Sequence, residues 1–234
     1  MVSVMRKDQL DRLAAFQDGS VPEGYFGNEK KWEIVKAAAA LFIKRGTVNT
    51  GVREIAEAGG ITVGTLYHYF KSKDDIISAF LDSAVQGTND FVRETTRVLV
   101  KMQPEEALRR AIRLYIDYVD EAQNIVLFWH QETRNLPPGQ RDRLLENEML
   151  LASLFEKLVE RGRKAGIFTV GDPALAAHTI IVLGDMWAFR RWWLGRRYSS
   201  GQYIQKQVEF ILRGLRDGSY EAKEDLHKEV RGKK

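Results

Sequence analysis

The sequence predicts an all-α fold of about nine helices, and three observations support this prediction. Apolar residues recur at helical spacing, as where Ile34, Ala38, Leu41 and Phe42 fall at i, i+4, i+7 and i+8. Helix-start signals also recur, among them a proline at residue 104. No segment shows convincing strand alternation between turn signals.

Two short helices meet at a glycine turn within residues 50–73, TGVREIAEAGGITVGTLYHYFKSK. Their apolar stripes consist of residues three or four positions apart: Val52, Ile55 and Ala56 in the first helix, and Leu66 and Phe70 in the second. Gly59 and Gly60 suit a tight turn between them. Thr62 is placed to cap the second helix. With the preceding amphipathic helix, these elements predict a three-helix unit that contains a helix-turn-helix.

The second of these short helices is expected to present a polar face to a DNA groove. Rotation by about 100° per residue turns Gly64, Thr65 and His68 outward, with Tyr67 and Tyr69 beside them. A helix in the major groove reads bases with its first turns and contacts phosphates with its flanks. The predicted DNA-binding residues are Thr50, Arg53, Thr62, Gly64, Thr65, Tyr67, His68, Tyr69, Lys71 and Lys73.

These residues are given different roles. Thr65 and His68 are expected at base edges, and Arg53 is placed to bind a guanine with two hydrogen bonds. Lys71 and Lys73 supply cations for the DNA backbone. Thr50 is predicted to cap the helix that begins with TGVRE. Each side chain alone is also compatible with packing or a solvated surface, and the combination makes the pattern specific.

The same stretch resembles the TetR family of one-component regulators. The family signature runs approximately T-x-V-R-[DE]-I-A, a small-residue turn, then G-x-L-Y-x-Y-F-x-x-K, and it matches closely over residues 29 to about 75. The matching residues are Thr50, Val52, Arg53, Glu54, Ile55, Ala56, Gly64, Leu66, Tyr67, Tyr69, Phe70 and Lys73. Val63 departs from the family, where many members have a polar or basic residue, so a thymine methyl contact or packing is expected there.

The resemblance implies an N-terminal helix-turn-helix DNA-binding domain followed by a helical ligand-binding and dimerisation domain. We divide the chain into a partly mobile extension (1–28), the DNA-binding domain (29–75), the ligand-binding and dimerisation domain (76–217) and a charged tail (218–234). The implied function is a ligand-responsive repressor that is released from a palindromic DNA operator.

Composition excludes several other classes of protein. The 234 residues carry a net charge of +4 and no cysteine. Disulfides, thiolate metal sites and cysteine nucleophiles are therefore excluded, and the mild charge argues against a nonspecific nucleic-acid coat. No stretch approaches an uninterrupted apolar run of about 18 residues, and because the first ten residues, MVSVMRKDQL, reach charge early, we expect no signal peptide. We expect a cytoplasmic protein with no membrane partner.

The last two predicted helices are the most apolar. Residues 174–194 are apolar nearly all round, and residues 202–215 keep one apolar stripe. Such a pair has more apolar surface than one subunit covers, which predicts a homodimer. Gly184 is expected to allow close helix approach at that interface. The alternative is the core of a monomer.

Aromatic and basic residues near two helix ends suggest an effector site. Its predicted residues are Phe128, Trp129, His130, Arg134, Trp187, Arg190 and Arg191, with Glu132 and Asp185 nearby. An apolar cavity with few polar groups suits a small lipophilic or amphipathic molecule. Some members of the resembled family bind fatty acyl-coenzyme A, and the paired arginines, with Arg196 and Arg197, suit its phosphates. Those arginines are equally compatible with a solvated rim or salt bridges.

Two alternatives to this function remain open. One is a regulator of an efflux or catabolic operon that senses an aromatic or hydrophobic compound. The other is an α-helical enzyme. His130 and Glu132 form H-x-E without the cysteine pair of a zinc deaminase, and His178 and His227 fit no ligand spacing. Phosphate-loop and nucleophile-elbow motifs are absent. No catalytic residue, metal or cofactor is therefore expected.

Overall fold

The computed structural model describes residues 29–217, apart from the side chain of Ala84. This part of the chain is all-α, as predicted, with ten helices and a 3₁₀ turn at Thr133–Asn135. The helices are α1 (Glu29–Arg45), α2 (Val52–Ala58), α3 (Val63–Tyr69), α4 (Lys73–Leu99), α5 (Pro104–Glu121), α6 (Gln123–Glu132), α7 (Pro138–Lys164), α8 (Pro173–Phe189), α9 (Arg191–Leu194) and α10 (Ser200–Arg216). The predicted extension 1–28, the tail 218–234 and His227 lie outside the described residues.

Side-chain caps fix the starts of four helices, among them α10, which Ser199 caps. The Thr62 hydroxyl accepts a hydrogen bond from the Thr65 amide at 3.0 Å, which confirms Thr62 as the N-cap of α3. Ser72 caps α4 in a capping box, and Asp172 caps α8. The prediction for Thr50 is wrong, because Gly51 is the N-cap of α2. The turn before α3 depends on Gly60, whose φ of +63° favours glycine.

Helix α8 differs from its prediction in two respects. It ends at Phe189, and Arg190 leaves helical geometry before the four-residue α9, so residues 174–194 are not one helix. Gly184 allows a close approach within the protomer instead of at a dimer interface. A Cβ atom on Gly184 would lie 2.7 Å from Cε1 of Tyr115 in α5.

Two apolar clusters form the core. The first joins α1, α2, α3 and the start of α4 to Ile125 and Phe128 of α6 and to Leu144 of α7. The predicted domain boundary after residue 75 cuts through this cluster, because Ile76 and Phe80 belong to it. The second cluster surrounds α5, which packs against α7, α8 and α10. Helix α6 therefore links the N-terminal helices to the larger helical body.

No helix in residues 29–217 combines the length and the apolar character needed to cross a membrane.

Candidate DNA-binding face and effector cavity

Helix α3 presents a polar surface because its apolar side chains are buried. Leu66 is fully buried in the first cluster, and Phe70, directly after the helix, is 7% exposed. The opposite side exposes Gly64, Tyr67 and His68. Two further residue positions are partly covered: Thr65, whose hydroxyl lies 2.9 Å from that of Thr62, and Tyr69, whose ring meets His68 edge-on. The exposed edge carries hydroxyl, imidazole and backbone groups that can meet a DNA groove.

Two cationic side chains beside α3 are exposed. Arg53 projects from the first turn of α2, and Lys71 lies between α3 and α4. The neighbouring Arg45 is engaged by Glu54 at 2.6 Å. A hydrogen bond from the Gly51 amide, supported by the Arg45 charge, lowers the pKa of Glu54 below its usual value. Glu54 therefore stays ionised and pairs with Arg45 of α1, so the acidic neighbour of Arg53 in the sequence is already engaged by another cation.

The loop between α1 and α2, residues 46–51, is held by Lys73. The Lys73 ammonium donates hydrogen bonds to the carbonyls of Thr47 at 3.0 Å and Thr50 at 3.2 Å. Thr50 is buried, and its hydroxyl donates to the Gly46 carbonyl. The structure therefore places two of the predicted DNA-binding side chains, Thr50 and Lys73, in contacts that hold this loop.

Glu132, at the end of α6, holds the same loop from the opposite direction. Its Oε2 atom accepts hydrogen bonds from the amide of Thr47 at 2.9 Å and from the Thr47 hydroxyl at 2.6 Å. The carboxylate also lies against Gly46, where φ is +80° and a Cβ would approach Oε1 to 2.8 Å. No sequence spacing indicates this contact, because 85 residues separate Glu132 from Thr47.

A cavity of about 180 Å³ lies in the helical body and touches α4, α5, α6, α7 and α8. Its lining residues are Thr88, Tyr115, Tyr118, Val126, Trp129, His130, Leu144, Asn147, Glu148, Leu151, His178, Ile181, Val182 and Asp185. Pockets that enclose a whole drug-sized ligand measure roughly 300–1,000 Å³. This cavity therefore suits a small ring or one end of a larger molecule.

A buried carboxylate organises the polar wall of the cavity. Asp185 is 4% exposed, accepts a hydrogen bond from the Tyr115 hydroxyl at 2.5 Å and lies 3.2 Å from Nε2 of His130. Burial, together with the Asp185 charge, raises the pKa of Tyr115 well above its usual value, so this phenol stays a donor. Partial burial also raises the pKa of Glu148.

The seven predicted effector residues do not line a single site in the structure. Trp129 and His130 line the cavity, whereas Phe128 lies in the first cluster with its ring 5.4 Å from that of Phe80. The cavity does not include the predicted residues Arg134, Trp187, Arg190 or Arg191.

Outside the cavity, Trp187 and Arg191 share one acidic partner. Trp187 is buried and donates its indole N–H to Asp120 at 2.6 Å, and Arg191 pairs with the same carboxylate. Arg190 lies over the ring of Trp192, and Arg134 is exposed in the 3₁₀ turn. Sequence reasoning missed Tyr115, Tyr118 and Asn147 as cavity residues, since their spacing resembles ordinary core packing.

Protonation of His130 should stabilise the fold in one range of pH. The hydrogen bond to Asp185 raises the pKa of His130 above its usual 6.5. The folded state therefore binds the proton more tightly than the unfolded state, and the stabilisation is complete below about pH 6.5 and disappears as pH rises through the folded-state pKa. Relative to His130→Gln, the wild-type free energy of unfolding should be higher at about pH 6 than at about pH 9. A constant difference across urea titrations at both pH values would contradict this.

An apolar groove separates the outer faces of α8 and α10. It has a volume of about 360 Å³ and includes Leu175, Ile180, Leu183, Phe210 and Ile211. Phe210 is 68% exposed. Exposed large apolar side chains that cluster on one face are typical of a protein interface.

Comparisons with known proteins agree with this architecture. Residues 34–80 match the family model of bacterial regulatory proteins of the tetR family, and residues 101–215 match that of the Tetracyclin repressor-like C-terminal domain. The chain is 34% identical over 198 residues to the HTH-type transcriptional repressor KstR2 of Mycolicibacterium smegmatis, which covers 78% of this chain and 89% of KstR2.

Two crystal structures have the same fold. The regulator PfmR from Thermus thermophilus superposes with a TM-score of 0.65 at 27% identity, over 78% of this chain and 98% of PfmR. FadR from Bacillus subtilis, solved with stearoyl-CoA, has a TM-score of 0.61 at 20% identity, over 80% of this chain and 98% of FadR. The chain therefore belongs to the TetR family, and it is a ligand-responsive, DNA-binding transcription regulator and not an enzyme.

Proposed function

We propose that this protein is a cytoplasmic repressor that binds a palindromic operator as a homodimer and leaves it when an amphipathic effector occupies the α4–α8 cavity. The C-terminal half of α6 carries this proposal. Trp129 and His130 line the cavity, while Phe128 packs in the core beneath the helix-turn-helix and Glu132 holds the α1–α2 loop. A ligand that displaces α6 thereby acts on the DNA-binding helices.

In this proposal α3 enters the major groove. Thr65 and His68 read base edges, and Gly64 allows the backbone to come close. Thr62, Tyr67, Tyr69 and Lys71 contact the sugar-phosphate backbone, and Arg53 of α2 reaches a guanine. Thr50 and Lys73 contribute by fixing the loop before α2, with the remaining Lys73 N–H available to a phosphate.

Base-reading and phosphate-contacting residues should respond differently to substitution. Thr65→Ala and His68→Ala should relax the preference among operator variants, because a lost base contact affects only the position that it reads. Lys71→Ala should weaken operator and scrambled DNA alike and reduce the salt slope by about one unit. Fluorescence anisotropy titrations over a salt series measure both effects. Loss of base preference in Lys71→Ala, with none in Thr65→Ala or His68→Ala, would reverse these roles.

The apolar groove between α8 and α10 supports the homodimer. Burial of that groove against a second copy covers Leu175 and Phe210, which water otherwise surrounds. A two-fold dimer also places two copies of α3 about one DNA turn apart, which matches the symmetry of a palindrome.

We further propose that the effector is an acyl-coenzyme A thioester. The small cavity accepts the acyl group and leaves the phosphates outside, where the exposed Arg190, Arg196 and Arg197, which follow α8 in the chain, supply cations for them. FadR with stearoyl-CoA and AibR with isovaleryl-CoA and operator DNA are neighbours in fold and supply the precedent. The aromatic lining, with Trp129, Tyr115 and Tyr118, equally favours a free aromatic compound as the second candidate.

Operator release tests this function. Operator affinity is measured by anisotropy with isovaleryl-CoA, with stearoyl-CoA and with coenzyme A alone. An acyl-coenzyme A that fits the cavity should weaken binding by roughly 5- to 150-fold, the usual range of allosteric coupling, and coenzyme A should have little effect. Release by simple aromatic compounds but by no thioester would select the second candidate. Operator affinity that no ligand alters would contradict effector release altogether.

A further inference from the structure

We infer that the part of the effector buried in the α4–α8 cavity carries a hydrogen-bond donor, a hydroxyl or a protonated amine, and no negative charge. This inference rests on the proposed effector site and specifies the chemistry that the site selects. It applies equally to the buried end of a thioester and to a free aromatic molecule.

The polar wall of the cavity contains acceptors with unused lone pairs. Both oxygens of Asp185 are occupied by one partner each, Tyr115 and His130, and a carboxylate oxygen can accept a second hydrogen bond. Glu148 contributes another carboxyl group to the lining. The donors Tyr115 and His130 already point at Asp185, so a bound group that carries its own donor can use the remaining lone pairs of this carboxylate.

Asn147 gives independent support. Its amide nitrogen donates to the Thr88 hydroxyl at 3.0 Å, while its Oδ1 atom is buried and accepts no hydrogen bond within residues 29–217. A buried acceptor without a partner is costly, and a donor from a ligand removes that cost. Asn147 and Asp185 come from α7 and α8, and both residues belong to the cavity lining.

The same wall disfavours an anion. A carboxylate brought into the cavity would lose its hydration and meet the charge of Asp185, and both effects oppose binding. Two imidazoles, those of His130 and His178, also line the cavity, but His130 is already paired with Asp185. Aromatic and aliphatic side chains, including Trp129 and Leu151, cover the rest of the surface and favour a ring or a short chain. The cavity therefore combines an apolar frame with acceptors for one donor-bearing group.

Four matched probes test the inference on the full-length protein without DNA. They are 4-ethylphenol, 4-ethylbenzylamine, 4-ethylanisole and 4-ethylbenzoate, and calorimetry measures their affinities. The phenol or the amine should bind at least about tenfold more tightly than the anisole, which keeps the oxygen but lacks the donor. The benzoate should bind most weakly. Tighter binding of the phenol than of the amine would show that the site prefers a neutral donor, and tighter binding of the amine would show that it prefers a cationic donor.

Two substitutions locate the binding. Asp185→Asn should weaken binding of the amine relative to the phenol, because it removes the charge and keeps an acceptor for Tyr115. Asn147→Ala should reduce the difference in affinity between the phenol and the anisole. Asp117→Asn, which changes a carboxyl group of α5 outside the cavity lining, is the matched control and should leave all four affinities unchanged.

Equal binding of phenol and anisole, tightest binding of benzoate, or no binding of any probe would overturn the inference. Because these measurements contain no DNA, they separate the two proposals. If a thioester with an unsubstituted acyl group releases the operator and the four probes bind equally, the proposed function is supported and the donor requirement is contradicted. If the probes with a donor bind selectively but no ligand changes operator affinity, the donor requirement is supported and effector release is contradicted.

Discussion

Phe80→Ala is expected to destabilise the protein by about 3–5 kcal/mol, the usual cost of emptying a buried phenylalanine site. Phe80 is fully buried, and its ring lies 5.3 Å from that of Trp129, 5.4 Å from that of Phe128 and 6.2 Å from that of Phe42. One side chain of α4 thus joins α1 to α6, where no neighbour can fill the space without moving a helix.

Urea unfolding at fixed protein concentration measures this effect. The expected loss is large, because the free energy of unfolding of most domains is only about 5–15 kcal/mol. Phe80→Leu should lose less, because most of the apolar volume remains. Val100→Ala, at a position that is 62% exposed, is the control and should change stability by less than about 0.5 kcal/mol. A Phe80→Ala loss as small as that of Val100→Ala would show that α1, α4 and α6 do not share this core.

Glu132→Ala should destabilise the fold by roughly 1.5–3 kcal/mol and weaken the link between cavity and operator. The substitution removes the acceptor of two hydrogen bonds and leaves the buried amide and hydroxyl of Thr47 without it. Because Glu132 belongs to α6, its loss also frees the α1–α2 loop from the helix that lines the cavity. The effector should then release the operator less effectively than in the wild type.

The measurements are urea unfolding and operator affinity with and without isovaleryl-CoA. Glu132→Gln keeps one acceptor oxygen and should lie between wild type and Glu132→Ala. Gln131→Ala changes the exposed neighbour on the same helix and serves as the control. If Glu132→Ala loses stability but responds to effector like the wild type, the coupling must run through other contacts of α6.

Local patterns explain why the sequence predicts the helix-turn-helix elements well. The cap at Thr62, the capping box of Ser72 and the glycine turn each involve residues at most three positions apart. Burial of Leu66 and Phe70 then determines which side of α3 stays exposed. Prediction failed where capping depends on a loop conformation, as when Thr50 turned inward and Gly51 became the cap.

Long-range contacts decided the rest, and spacing carries no signal for them. Phe128 and Trp129 are adjacent in sequence, yet Phe128 points into the first cluster and only Trp129 lines the cavity. Tyr115 meets Asp185 across 70 residues. Trp129 and His130 of the aromatic segment line the cavity, but the full set of side chains that face one space can be predicted only when the packing of five helices is known.

The most direct test of the central claim is selection of the purified protein on random duplex DNA, followed by measurement of the winner's affinity against scrambled DNA at physiological salt. A dimeric repressor predicts a palindromic winner bound about 10³-fold or more tightly than scrambled DNA. Equal affinity for winner and scrambled DNA, or a winner without two-fold symmetry, would contradict it.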